Sequence, residues 1–113
     1  MHEVSLMQDT VIIATKQARE AGAQRIHRIM MRVGALSGAV PETLEFAFDI
    51  VAKGTMAEGA KLEIERVPVL CYCPMCAQEF EPTDFVCECT RCGRPSVDIR
   101  RGRELHVTSL EVS

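Results

Sequence analysis

Tryptophan is absent from this chain, and aromatic residues make up only 4% of it, with one Tyr and four Phe. A core built from such a sequence is aliphatic and Met-rich. It also lacks the stacking platforms on which single-stranded nucleic acid is usually held. Positive charge is not in excess either. Thirteen Lys and Arg face 16 Asp and Glu, for a net charge of −3, so nothing electrostatic favours a nucleic-acid partner. No apolar run approaches the roughly 20 residues of a membrane span. The opening Met-His-Glu has no basic region followed by an apolar one, so no secretory signal is read there. The expectation is a cytoplasmic chain whose thiols stay reduced. G-x-S-x-G, H-E-x-x-H and Gly-rich phosphate loops are also missing, so no catalytic motif speaks for an enzyme.

Cysteine, by contrast, is plentiful. All six cysteines lie between Leu70 and Ile99, at positions 71, 73, 76, 87, 89 and 92. Two C-x-x-C knuckles stand out, Cys73-Pro-Met-Cys76 and Cys89-Thr-Arg-Cys92. Each knuckle turns two sulfurs to one side of a tight loop. Two facing knuckles supply four thiolates at the corners of a tetrahedron, the closed soft-ligand set that structural Zn²⁺ takes. A disulfide framework is disfavoured by the reducing compartment. A C-x-x-C redox centre is disfavoured because a metal would tie up both pairs. Cys71 and Cys87 each stand two residues before a knuckle. They read as bystanders, small apolar side chains beside the site, with C-x-C chelation as the alternative.

Periodicity places the rest. Val4, Met7, Val11, Ala14 and Ala18 mark a helix over residues 4–21, with Ile12 widening its stripe. Residues 25–33 alternate as a strand, Ile29, Met31 and Val33 against Arg28, Met30 and Arg32, with His27 in the buried phase. Pro41 opens a second helix whose stripe is Leu44, Ala47, Phe48 and Val51. Residues 60–67 form another strand, broken by Pro68. Arg100–Arg103 reads as a solvated basic turn. Residues 104–112 form a third strand, in which Leu105 and Val107 are out of phase with Leu110 and Val112; a bulge near Thr108–Ser109 reconciles them.

Two knuckles offer little sheet, so the last strand belongs with 25–33 and 60–67. The expected fold is α+β: a small α/β domain, two helices on a three-stranded sheet, formed by residues 1–67 and 103–113. Residues 68–102 are a Cys₄ zinc-ribbon-like insert, reached through short hinges near Pro68 and Gly102.

A closed Cys₄ site does no Lewis-acid work, so function must lie elsewhere. At the start of the chain, an amine on Met1, the His2 imidazole and the intervening amide nitrogens form fused chelate rings. That set suits square-planar Ni²⁺ or Cu²⁺, although a His at position 2 is more often simply solvated. A different class of function is a zinc-ribbon module binding protein or nucleic acid through Arg91, Arg94 and Arg100–Arg103. A third is a thiol-redox protein using Cys71–Cys76.

Met1-His-Glu-Val-Ser-Leu6, Arg32-Val-Gly34, Phe46-Ala-Phe48, the paired knuckles, Gly102-Arg-Glu-Leu105 and Ser109-Leu-Glu-Val112 together resemble the HypA/HybF family of nickel-insertion proteins, in order and over essentially the whole chain. The resemblance implies a non-enzymatic nickel metallochaperone for [NiFe]-hydrogenase maturation. It implies His2 as the essential nickel ligand, with Glu3 supporting the site. It implies Cys73, Cys76, Cys89 and Cys92 as zinc ligands. It further implies a HypB-type GTPase and the hydrogenase large subunit as partners. Glu42 and His106 are possible additional ligands, and the separable strand 104–112 allows a strand-exchanged homodimer.

Overall fold

The computed structural model describes residues 2–83 and 86–113, the side chain of His2 excepted. In chain order the elements are α1 (His2–Glu20), β1 (Ile26–Gly34), α2 (Pro41–Val51), β2 (Lys61–Val67), β3 (Leu70–Cys73), β4 (Gln78–Phe80), β5 (Asp98–Arg101) and β6 (Leu105–Val112). They build two three-stranded sheets, ordered β2-β1-β6 and β4-β3-β5. The fold is α+β, with two helices on the first sheet and the four-cysteine module inserted between β2 and β6.

In the first sheet α2 carries the chain from β1 back to a parallel β2, and β6 returns antiparallel on the other side of β1. Apolar residues at helical spacing put Met7, Val11, Ala14 and Ala18 of α1 and Leu44, Ala47 and Phe48 of α2 into one core with Ile26, Ile29, Met31 and Val33. Burying the Met, Val, Leu, Phe and Ile side chains among them stabilises by about 1.5–3 kcal/mol each. The helices cover one face only. The other carries an ion-pair ladder in which Arg28 meets Glu63 and Glu111, and Arg32 meets Glu65.

Three details depart from the periodicity. Ile12 does not widen the buried stripe of α1; it is 65% exposed on the flank of the helix. His27 is exposed rather than half-buried, because the register of β1 against β6 shifts between Ile26 and Arg28 and hands the buried place to Ile26. Its ring nitrogen Nε2 meets Ser113 Oγ at 2.7 Å. The cysteine region, expected to hold little sheet, has a sheet of its own. The bulge in β6 does fall at Thr108, where Met30 pairs with Ser109 and Met31 with Val107.

The two connections between sheet and insert are not loose. Gly34 and Gly102 pass so close that a Cβ on Gly34 would lie 2.1 Å from the Gly102 carbonyl oxygen. Gly102 holds φ near +120° against Val69, a conformation natural to glycine alone. The Gly34 N–H donates to Glu104 O (2.7 Å), Leu36 N–H to Gly102 O (2.6 Å) and Ala35 N–H to Val67 O (2.9 Å). The expected hinges form a clasp.

Candidate metal centre

Each knuckle is made by a turn that follows a short stretch of extended chain. β3 delivers Cys73, and the turn to β4 carries Cys76, with Ala77 in the left-handed region at φ 51°. In the second knuckle Gly93 takes the equivalent place at φ 73°. Cys89 N–H donates to Arg94 O, and Gly93 N–H to Cys89 O, both at 2.9 Å, closing that turn.

The sulfurs of Cys73, Cys76, Cys89 and Cys92 converge within 4.8 Å of one another. Cys73 Sγ lies 3.7 Å from Cys92 Sγ, and Cys76 Sγ lies 3.9 Å from Cys89 Sγ. A tetrahedron with zinc–sulfur bonds of about 2.3 Å has edges of about 3.8 Å, so the donor set has the size and softness that Zn²⁺ requires. Cys73 and Cys89 are buried, Cys76 half-buried and Cys92 exposed.

The four thiols are unequal. Backbone N–H groups of Cys92 and Arg91 point at Cys89 and hold its thiol down at about 6, the Arg91 N–H lying 3.4 Å from Sγ. Cys76 is pushed up to about 12, first by its hydrogen bond with Cys92 and then by burial. A divalent cation reverses the second effect, since crowded thiolates that repel one another become its ligands.

Cys71 and Cys87 are not part of this set. They are joined to each other by a disulfide, with Cα atoms 6.3 Å apart. The sequence reading as free, small apolar side chains gives way to a cross-link: β3 and the strand-like stretch before the second knuckle bring them together. A pairing across 16 residues has no local signal in the chain. The doubled C-x-C spacing was its nearest trace.

The other sequence candidates lie elsewhere. Met1 is outside the described residues, as is the His2 side chain. The backbone of α1 is helical from His2, and Glu3, half-buried, occupies its first turn. Glu42 lies in the first turn of α2 and is ion-paired with Arg66. That guanidinium, bonded to it, holds the Glu42 carboxyl below its ordinary value. His106 is exposed on β6 opposite Arg32 and lines a groove between α1 and β6 with Leu6, Asp9 and Ile13. Arg100 belongs to strand β5 rather than a solvated turn. It makes two bonds to Asp98, at 2.8 and 2.9 Å, and its guanidinium lies 4.3 Å over the Tyr72 ring. Arg100, one of the basic residues of the nucleic-acid reading, is exposed but engaged by Asp98 and Tyr72 on its own sheet. No helix among the described residues is long and apolar enough to cross a membrane.

Comparison with known proteins gives a consistent result. The family described as "Hydrogenase/urease nickel incorporation, metallochaperone, hypA" matches residues 1–112. A hydrogenase maturation factor HypA from Picosynechococcus sp. is 50% identical over 112 residues, covering 99% of both chains. One from Chloroflexus aurantiacus is 46% identical over 98% of each. A solution structure of a HypA protein superposes with a TM-score of 0.74 at 25% identity, over 100% of this chain and 97% of the other. The solution structure of the Ni metallochaperone HypA from Helicobacter pylori shares the fold, with a TM-score of 0.66 at 23% identity, over 97% and 96%.

Proposed function

Because the chain belongs to the HypA family of hydrogenase and urease nickel-incorporation metallochaperones, we propose that it takes up Ni²⁺ at His2, with Glu3 beside it, and hands the ion on during [NiFe]-hydrogenase maturation. The family is one of maturation factors, not catalysts. The observation that carries the reading is the closed sulfur cage. The sulfurs of Cys73, Cys76, Cys89 and Cys92 lie within 4.8 Å of one another, a set that four-coordinate zinc would complete with no open position, so a zinc held there serves shape. A cargo ion that has to leave again belongs somewhere more open.

The start of α1 suits that task. The first four N–H groups of an α-helix have no acceptor within it, so the amide nitrogens of His2 and Glu3 are not needed to hold the helix. The positive end of the helix dipole disfavours a cation, and the Glu3 carboxylate offsets it. The balance is a moderate grip that a receiver can undo one ligand at a time. Residues 1–67 with 103–113 form the nickel-binding part in this reading, and residues 68–102 the zinc-binding part. The working place is the cytoplasm, where a HypB-type GTPase and the hydrogenase large subunit are the partners. Self-association through exchange of β6 uses the pairing with β1 already present. Gel filtration with light scattering, on the chain alone and mixed with such a GTPase, measures both associations; a monomer that ignores the GTPase counts against them.

The decisive variant is His2→Ala. Calorimetry on the purified protein is expected to show tight Ni²⁺ binding lost, with zinc content and far-UV circular dichroism unchanged. Nickel affinity equal to that of the parent chain would refute the assignment.

A further inference from the structure

We propose that Cys71 and Cys87 are a reversible oxidative modification site, a thiol–disulfide pair that sets how firmly the module keeps its zinc. The inference rests on the reading of the four-cysteine cluster as a zinc site and adds a control to it.

The placement of the pair carries the argument. Cys71 and Cys73 are two apart on β3, so both project to the same face of that strand, and both are buried. Cys87 and Cys89 are two apart on the opposing stretch. That stretch is folded back on itself by Ser96 N–H to Cys87 O (2.7 Å), Cys89 N–H to Arg94 O (2.9 Å) and the bridge between Glu88 and Pro95. The disulfide therefore lies one rung behind the sulfur cage, fastening the same two arms that the metal fastens. Apart from these sulfurs, the arms are tied at their base, where β5 pairs with β3 at Tyr72–Asp98 and Cys71–Ile99 and Ser96 Oγ donates to the Tyr72 carbonyl; the knuckle ends beyond that pairing face each other through the sulfurs. The small core around the pair, Val69, Cys73, Phe80 and Cys89 with Leu36 and Ile99 packed on it, is too slight to hold two arms alone.

Metal and disulfide are thus two latches across one gap. With the disulfide closed, the knuckles stay opposed when zinc leaves, and the empty cage is ready to take it back. With the pair reduced, loss of zinc lets the two knuckles swing apart about the β3–β5 pairing at their base. Closing a loop of about 15 residues restricts the open state enough to raise the apparent zinc affinity roughly 100-fold.

The chemistry balances with a low-molecular-weight disulfide as oxidant. Cys87 is half-buried while Cys71 is fully buried, so Cys87 is the sulfur that meets the reagent. Its thiolate attacks one reagent sulfur, forms a mixed disulfide and expels the other half as a thiolate. Cys71 then attacks the Cys87 sulfur and releases the second half. Two protein thiols are oxidised and one reagent disulfide is reduced to two thiols. An excess of the reduced reagent runs both steps backwards.

The test uses the full-length, zinc-loaded chain in glutathione buffers from reducing to oxidising. Free thiols are alkylated and located by mass spectrometry, and zinc affinity is measured in parallel against a chromophoric chelator. The expected result is one reversible disulfide between Cys71 and Cys87, four protected cysteines, and zinc held roughly 100-fold more tightly in the oxidised form. The double variant Cys71→Ser, Cys87→Ser is expected to show the weaker affinity in every buffer, as is Cys87→Ser alone should the buried serine at 71 impair folding. Zinc present at one equivalent with affinity equal in both buffers, or a pair that stays reduced throughout, overturns the proposal and leaves the zinc site standing. A protein that carries no zinc in any buffer overturns both.

Discussion

Cys89 is the residue on which the cage's response to acid turns. Two N–H groups stabilise its thiolate, so it is ionised above about pH 6. Cys76, pushed up to about 12, gives up its proton only to the arriving metal. The sign follows. Above pH 6 the metal competes with the Cys76 proton and not with one on Cys89. Below pH 6 Cys89 is protonated as well, and each further unit of acid costs more affinity. Competition titrations from pH 5 to pH 8 are therefore expected to show log affinity for zinc falling with a slope steeper by about one below pH 6. A single unbroken slope would mean that the Cys92 and Arg91 N–H groups do not single out Cys89. At this scale the cage was legible in the chain because C-x-x-C dictates which sulfurs share a turn. The disulfide was not, because its partners are chosen by how β3 and the second knuckle stack. The same is true of Glu42, an isolated carboxylate in the sequence that Arg66 of β2 engages in the fold.

Among the elements, those with one buried and one wet face could be read directly. α1, α2, β1 and β2 announce themselves through apolar spacing, and the phase change in β6 located its bulge at Thr108. β3, β4 and β5 span only four, three and four residues, too short for alternation to rise above the cysteine and turn residues around them. His27 shows the other limit. A single shift in register, invisible in one strand's own pattern, exchanges which neighbour faces the core. The meeting of β1 with the start of β6 gives a prediction of its own. Gly34→Ala places a methyl group against the Gly102 carbonyl, and overpacking of this kind typically costs about 1–3 kcal/mol. Urea denaturation is expected to show a loss at the upper end of that range, because the contact is backbone that cannot rotate away. Gly38→Ala is a useful comparison: its Cβ meets nothing within 4 Å, and only its φ of +83° resists the change. Equal costs at the two positions would show that the crossing can relax. Acid loosens the same place, since the Glu104 carboxylate accepts the Gly102 N–H at 2.8 Å. N–H groups of Glu104 and Gly102 hold its carboxyl below the ordinary 4.5, so this stabilisation is complete above that value and is lost as the pH falls beneath it.

Taken whole, the molecule is long and thin, 54 × 28 × 16 Å. β2 runs parallel to β1 and β6 antiparallel to it. The far ends of β1 and β2 and the beginning of β6 therefore share one end of the sheet, and the module leaves and returns there. β2 and β6 stand on either side of β1, so their ends are two strand spacings apart, about 10 Å. Three or four glycines can cross that interval. A chain in which such a bridge replaces residues 68–101 is expected to keep its helical circular dichroism, to lose its zinc, and to bind Ni²⁺ with an affinity within a few-fold of the parent. Collapse of the helices in that shortened chain would mean that the insert props up the sheet. Survival would describe a chain whose wiring lets a whole appendage be unplugged and the circuit closed behind it, so that a lineage could refit the appendage for a new client and leave the rest of the machine as it was.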